Sequence, residues 1–259
     1  MRRFLTLMWF LWPLLLIAVA IFSVFRGGLS LKIGEILKFS EPTPGVRRFA
    51  EAKRVGRYSY YAYLVPRPRD LYLLDNVKGE DVSGILKKEG CEAGINGGFY
   101  DEDFAPLGLI IKEGQVLSPQ KRSLLLDGYF ALSDNNEVEI GPTTPLANSR
   151  LAIQSGPLLL DQGGTLELQI KDDKFSRRSV LANLNGRALF FVSIFDAQSV
   201  FSGPKLNELP SLLLEIARDN KWQIQSALNL DGGSSSFFYN DNVVLGEYRA
   251  VRTILCVKN

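Results

Sequence analysis

The chain has no histidine. That absence excludes a Ser-His-Asp or Cys-His apparatus and every histidine-ligated zinc site. Proton transfer must then fall to Asp, Glu, Lys, Tyr or Cys. Cysteine is scarce: Cys91 and Cys256 stand far apart and form no metal motif. Two readings of the pair stay open, a disulfide in an oxidising compartment and two separate buried thiols. A basic excess is also missing, since the net charge is +2. Dedicated nucleic-acid binders usually carry a clear excess, so no nucleic-acid partner is expected. No internal repeat, low-complexity tract, cofactor motif or metal motif interrupts the sequence.

What is present begins with apolar material, at 46% of the residues, enough for a sizeable core. Residues 4–25, FLTLMWFLWPLLLIAVAIFSVF, carry no charge. At helical rise this run spans a bilayer core of roughly 30 Å. Arg2 and Arg3 precede it and Arg26 follows, which places the N-terminus inside and the remaining chain outside. Residues 1–26 are therefore expected to be a transmembrane anchor. The alternative is a cleaved signal peptide, because Ala18-Val19-Ala20 forms an A-x-A pattern after an apolar run. Both readings export the rest of the chain to the periplasmic or extracellular side. Residues 27–57, with Gly27-Gly28, EPTPG and many Lys and Arg, read as a linker.

From residue 58 the pattern is strand-rich. YSYYAYLV (58–65) and DLYLLD (70–75) are the first strands, and Asp81 caps a short helix that stops at Gly90. LGLIIKEGQVL (107–117) and SLLLDGYFAL (123–132) read as hairpins, the second turning at Asp127-Gly128. RLAIQSGPLLLD (150–161) is a strand broken at its proline. SVLANLNGRALFFVSIF (179–195) is a hairpin turning at Asn185-Gly186, and LNELPSLLLEIARDN (206–220) is the longer helix. Strands with two modest helices predict an α+β class with a mixed, mostly antiparallel sheet, in one domain over 58–259.

Three glycine-rich interruptions each follow an apolar run: Asn96-Gly97-Gly98, Ser155-Gly156-Pro157 and Asp231-Gly232-Gly233-Ser234. Glycine lets a ligand approach the main chain, and successive N–H groups in such turns form anion sites. Arg177-Arg178 precedes one hairpin and Arg249 lies between late strands; arginine pairs with phosphate in a planar, bidentate manner.

These blocks, AGINGGFYDEDFAPLGLIIKEGQ, QSGPLLL, RRSVLANLNGRALFFV, ALNLDGGSSSFFY and YRAVRTILCV, resemble in order and spacing the phosphodiester glycosidase family, over about residues 58–259. The resemblance implies hydrolysis of a sugar, N-acetylglucosamine in the best-known members, joined through its anomeric carbon to a phosphodiester. It assigns catalytic positions to Asp231 and Asn96. Substrate and phosphate positions fall on Gly97, Gly98, Ser155, Gly156, Arg178, Ser179, Gly232, Gly233, Ser234 and Arg249. Ser179 stands where threonine is commoner, and Thr253 where asparagine is common, which bears on sugar preference. The chemistry suits a chain without histidine. Phosphate is a good leaving group, and a carboxylate can activate water or form a covalent adduct. Asp101, Glu102, Asp103 and Asp196 are candidate partners for Asp231. The expected protein is an exported, membrane-anchored hydrolase of a sugar phosphodiester on an envelope glycan or exopolysaccharide, without metal or cofactor. A silent phosphoglycan-binding module and a transferase on the same scaffold are the alternatives.

Overall fold

A computed structural model describes residues 46–48, 51–144, 148–184 and 188–258. The anchor or signal segment, most of the expected linker and the Asn185-Gly186 turn lie outside the described residues. In chain order come β1 (Val46–Arg48), β2 (Lys53–Val55), β3 (Tyr58–Val65), β4 (Leu71–Asp75), helix α1 (Val82–Glu89) and β5 (Cys91–Asn96). Next are β6 (Ile110–Lys112), β7 (Gln115–Ser118), β8 (Gly128–Ser133), β9 (Val138–Gly141), β10 (Ser149–Ser155), β11 (Leu158–Asp161) and β12 (Gly164–Thr165). Then follow β13 (Arg178–Leu184), β14 (Ala188–Phe195), helix α2 (Leu209–Asn220), β15 (Ile224–Asn229), β16 (Phe238–Asn240), β17 (Val243–Leu245) and β18 (Thr253–Lys258).

The strands form three sheets: β12-β11-β15-β13-β14-β3-β2, β1-β17-β16-β5-β18-β4, and β7-β6-β10-β8-β9. Alternation of side chains across a strand explains how they share one core. On β14, Phe191 and Phe195 face a cluster to which all three sheets contribute, with Leu181, Ile95, Phe130, Ile153 and Phe238. The intervening Phe190, Val192 and Ile194 face the other way, onto Leu209, Leu213, Ile216 and Ala217 of α2. A strand buried on both faces reads as a continuous apolar run, which is how 188–195 appears in the sequence. Helix α1 covers the outer face of the second sheet through Val82 and Leu86. Its start is fixed by Asp81, whose carboxylate accepts the Gly84 N–H at 2.7 Å, as expected of an N-cap.

Three expectations are corrected. Every strand pairing among the described residues is antiparallel, so the mixed sheet is not found. The domain starts before residue 58: β1 pairs with β17 and β2 with β3, so the end of the expected linker is structural. Asp127-Gly128 is not a hairpin turn. The Asp127 carboxylate accepts the Leu158 N–H at 2.7 Å, and Gly128 opens β8, which pairs with β9 and β10. Residues 123–127 instead form a loop held by Ser123 Oγ, which accepts from the Leu125 and Leu126 N–H groups.

Cys91 and Cys256, on the paired strands β5 and β18, are joined by a disulfide. It lies beneath α1 in the cluster with Val82, Leu86 and Ile254. The bond closes a loop across a sequence separation of 165 residues. Removing it with a Cys91→Ser/Cys256→Ser pair is expected to lower unfolding stability by about 2–4 kcal/mol. Urea denaturation of oxidised protein and the double variant checks this; coincident curves would contradict it.

Candidate active site

The frame of the site is built where three strand ends meet. Strand β15 ends at Asn229, and the central glycine motif fixes its position. Ser155 Oγ donates to the Asn229 carbonyl at 2.8 Å, Asn229 Nδ2 donates to the Gly156 carbonyl at 2.8 Å, and Asn229 N–H donates to the Pro157 carbonyl at 3.1 Å. The Gly156-Pro157 peptide is cis. A Cβ on Gly156 would lie 2.1 Å from the Leu125 carbonyl oxygen, so only glycine fits. Ser155 and Gly156 are thus consumed by the frame.

Asn96 closes the other side. Its side chain is fully buried, and its amide is spent on main chain. Nδ2 donates to the Asp231 carbonyl at 2.7 Å and more weakly to the Gly97 carbonyl at 3.2 Å, while Oδ1 accepts the Phe237 N–H at 2.9 Å. Asp231 N–H donates to the Gly97 carbonyl at 3.1 Å, and Gly97 N–H to the Thr253 carbonyl at 2.6 Å. A Cβ on Gly97 would fall 2.3 Å from Thr253 Oγ1. Gly98 packs on the Gln154 carbonyl, which brings the first motif against the central one. Asn96 therefore clamps both ends of the signature loop and acts on Asp231 through the backbone.

The loop itself is a single 3-10 turn, Gly233–Ser235. Of the backbone N–H groups that the sequence offers as an anion site, those of Gly232, Gly233, Ser235 and Ser236 are used within the protein. Gly232 N–H donates to Asp231 Oδ1 at 2.8 Å, Gly233 N–H to the Arg177 carbonyl at 2.8 Å, Ser235 N–H to the Gly232 carbonyl and Ser236 N–H to the Gly233 carbonyl. Ser234 contributes its carbonyl, which accepts the N–H groups of Tyr248 at 2.7 Å and Arg249 at 2.9 Å. That contact pins the segment bearing Arg249 to the loop, and the residue stands exposed to solvent.

The adjacent arginines have different surroundings. Arg178 is buried; Nε donates to the Pro204 carbonyl at 2.9 Å and Nη2 to the Lys174 carbonyl at 2.5 Å, with Asp173 at 3.5 Å. Its Nη1 lies beside Gly232, 3.7 Å from where a Cβ would stand. Arg177 is fully buried, donates to Ser236 Oγ, the Ser236 carbonyl and the Gly246 carbonyl, and lies 5.0 Å from the Phe201 ring centroid. Burial pushes its guanidinium down to about 10, and the charge of Glu247 partly offsets this. The Ser179 hydroxyl is buried with no partner among the described residues. It shares a cross-strand pair with Ser193, and its carbonyl accepts the N–H of Leu230, the residue before Asp231, at 2.9 Å.

The carboxyl of Asp231 is the electrostatic outlier. Burial pushes it up from an ordinary value of 3.8 to about 7. The Gly232 N–H, and the Ser235 hydroxyl when it points at the carboxylate, pull the other way. Beside it, Tyr100 Oη and Ser235 Oγ are 2.7 Å apart, and the Tyr100 hydroxyl donates to the Ala250 carbonyl. Burial raises the Tyr100 phenol, with Asp231 and Glu247 raising it further and Ser235 and Arg249 lowering it. Asp231, Ser235, Tyr100, Arg249 and Glu247 thus form one electrostatic neighbourhood. A carboxyl pushed up toward neutrality can serve proton transfer or nucleophilic attack.

Of the candidate partner acids, Asp101 Oδ1 accepts the Asp103 and Ala105 N–H groups, and Asp196 Oδ1 accepts the Gln198 N–H. Both hold their own turns, and Glu102 and Asp103 are exposed. Sequence reasoning missed Tyr100 and Glu247 as members of the site. Tyr100 sits within a quoted block, and its hydroxyl was the available signal. Two surface cavities lie elsewhere. One, of about 580 Å³, is lined by Lys121, Arg122 and Tyr129, and another, of about 380 Å³, by Lys78, Lys88 and Lys112; Asp231 lines neither.

Comparison with known proteins gives this geometry a family. The family model for phosphodiester glycosidases matches residues 89–258. The uncharacterised protein YigE of Escherichia coli K12 is 30% identical over 124 residues, which are 43% of this chain and 48% of that relative. The match thus spans about half the length of the curated relative. Among solved structures, the catalytic domain of zebrafish N-acetylglucosamine-1-phosphodiester alpha-N-acetylglucosaminidase, auto-inhibited by its pro-peptide, superposes with a TM-score of 0.61 at 16% identity, over 83% of this chain and 87% of that one. A hypothetical protein from Synechocystis superposes with a TM-score of 0.53 at 15% identity, over 85% of this chain and 64% of that one. These structural likenesses establish the fold, and the family match runs from β5 through β18 across both loops that hold Asp231: the chain belongs to the phosphodiester glycosidase family.

Proposed function

We propose that this chain is an exported hydrolase that releases a sugar from a phosphodiester at the anomeric carbon, with Asp231 as its catalytic carboxylate. The observation that carries the reading is the position of Asp231. A half-buried carboxyl pushed up to about 7 is held by two family motifs at once, with an arginine on either side of its loop. The zebrafish relative is named for action on an N-acetylglucosamine-1-phosphodiester, and an N-acetylglucosamine-like sugar on a phosphate-bearing envelope glycan is the proposed substrate here. In the reaction the C1–O bond breaks and its electron pair leaves on a phosphate oxygen. Ionised Asp231 either takes a proton from the water that attacks C1 or attacks C1 itself, before water releases the adduct. Arg249, exposed at the rim, and Nη1 of Arg178 are positioned for the phosphate. Asn96 orients Asp231, while Ser155, Gly156 and Ser179 support the sheet.

Export is part of the proposal. Residues 4–25 supply the anchor, and the Cys91–Cys256 disulfide suits an oxidising compartment. The anchored form should stay with membranes after a high-salt wash and retain its N-terminus. A mature start near Ile21 by mass spectrometry would favour the cleaved alternative.

Replacement of Asp231 is the direct test. Asp231→Asn is expected to lower release of free sugar from a sugar-1-phosphodiester by at least about a hundredfold. Stability should move oppositely. Between pH 3.8 and about 7 the folded protein retains a proton that the unfolded chain has lost. Wild-type stability therefore falls as pH rises through that window. Asparagine has no such titration, so the variant should gain stability relative to wild type from about pH 4 to 7 and keep that gain above. Near-normal turnover in a folded variant would remove Asp231 from the mechanism.

The arginines separate by role. Arg249→Ala should weaken phosphodiester binding by about tenfold or more, in line with a lost charge-assisted hydrogen bond of about 1.5–3 kcal/mol, with little change in melting temperature. Arg178→Ala should lower the melting temperature as well, since it frees the Pro204 and Lys174 carbonyls and Asp173. Equal losses of affinity for the phosphodiester and the free sugar would contradict the phosphate assignment.

A further inference from the structure

We infer that the loop at residues 121–126 docks on a membrane surface: Leu124 and Leu125 enter the interface of the bilayer while Lys121 and Arg122 meet the phosphates of anionic lipids. The inference goes beyond the proposed reaction and takes from that proposal only the anchor at residues 4–25.

The first observation is apolar exposure on a loop that is held in place. Leu124 is 96% exposed and Leu125 56%. One exposed leucine is ordinary. Here, however, four of the eleven exposed large apolar side chains among the described residues, Val116, Leu117, Leu124 and Leu125, fall within ten residues of chain. Such concentration marks an interaction surface. The loop is fixed through its main chain. Buried Gln154 accepts the Lys121 N–H at 2.9 Å and donates to the Lys121 and Leu126 carbonyls at 2.6 and 2.7 Å. Ser123 Oγ accepts the Leu125 N–H at 3.2 Å, and the Leu125 carbonyl abuts Gly156 of the central motif. The backbone therefore has its partners, and what the loop offers to solvent is leucine side chain.

Charge names the occupant. From Gly114 to Leu126 the only charged residues are Lys121 and Arg122, and both are exposed. They line the cavity of about 580 Å³ together with Leu124. Asp127, the one acid in that lining, is bonded to the Leu158 N–H. Two cations with a leucine on the same wall fit a lipid phosphate whose acyl chain begins beside it. A protein partner fits less well, because lysine is depleted in protein–protein interfaces. Two cations and two leucines bind a free protein only weakly to a bilayer. A tethered domain needs no more. Residues 26–45 separate the apolar run from β1. At full extension they hold the domain within roughly 70 Å of the bilayer. Because the loop abuts Gly156, docking would also set how the frame that carries Asp231 faces the membrane.

The test uses the full chain reconstituted in vesicles, with Leu124→Cys carrying a nitrobenzoxadiazole fluorophore. Cys91 and Cys256 are joined to each other, so the label goes to the new thiol. In vesicles of phosphatidylcholine mixed with phosphatidylglycerol, the emission should shift to the blue and be quenched by lipids brominated on the acyl chain. In phosphatidylcholine alone both effects should be several-fold smaller. Lys121→Gln/Arg122→Gln should lower the docked-to-free ratio in the mixed vesicles by about tenfold or more, and high salt should act in the same direction. The loop uses only the main chain of Lys121, so this variant keeps its fold. No quenching in the mixed vesicles, or equal quenching in both lipids and in the charge variant, would overturn the proposal. A blue-shifted fluorophore in detergent that lipid fails to quench would assign the loop to a protein partner or a second copy, and would overturn it too. Quenching is read before any wash, so a chain later lost in a high-salt wash would sink the anchor alone.

Discussion

The clamp made by one buried amide governs the site. Asn96 uses Nδ2 on the Asp231 carbonyl and Oδ1 on the Phe237 N–H, and so ties both ends of the signature loop to the end of β5. Both polar ends of its amide have partners, as a buried side chain requires. The three sheets exist in register around this point. Strand β15 is held by β13 and by the central motif, β5 by β16 and β18. Where these strands stop, Asp231 is presented from a backbone that is bonded on both sides. A carboxyl held this way keeps its position while its charge changes, which is the general condition for catalysis by a fixed group.

Stability and function oppose each other at this loop. Burial that pushes the Asp231 carboxyl to about 7 costs the folded state increasingly as pH rises above the ordinary carboxyl value, while the proposed mechanism uses that same carboxyl near neutrality. The fully buried Arg177 stitches the loop: its side chain takes Ser236 and Gly246, and its carbonyl takes the Gly233 N–H. In the proposed mechanism Arg178 and Arg249 divide the cationic role. One is fixed by carbonyls and Asp173, the other stands at the rim on the segment pinned by the Ser234 carbonyl.

Much of the frame is legible in the sequence for physical reasons. The double-sided apolar run at 188–195, the Asp81 cap and the amphipathic 209–217 face each encode one local rule, and the structure follows all three. Asp127-Gly128 shows where local rules lose. The dipeptide suits a tight turn, but its carboxylate is drawn to the Leu158 N–H thirty-one residues away, a tertiary partner that no local window contains. The loop at 231–236 misleads for a similar reason. Glycines advertise open backbone donors, yet the two glycine N–H groups are taken by the Asp231 carboxylate and the Arg177 carbonyl. Nor can adjacency tell Arg177 from Arg178: one lies just before β13 and the other opens it, both are buried, and they differ in the carbonyls they meet, which only the assembled fold supplies. Tyr100 is legible as an aromatic residue and illegible as a member of the site, because its hydroxyl meets Ser235 and the Ala250 carbonyl only in the assembled fold.

The account places anomeric carbon, phosphate and carboxylate together at one loop, and a bound ligand would show this most directly. A crystal structure with a non-hydrolysable sugar-1-phosphonate should place the anomeric carbon over the Asp231 carboxyl and the phosphonate between Arg249 and Nη1 of Arg178. A ligand seated instead in the cavity beside Lys121 and Arg122, with the Asp231 loop empty, would contradict the account.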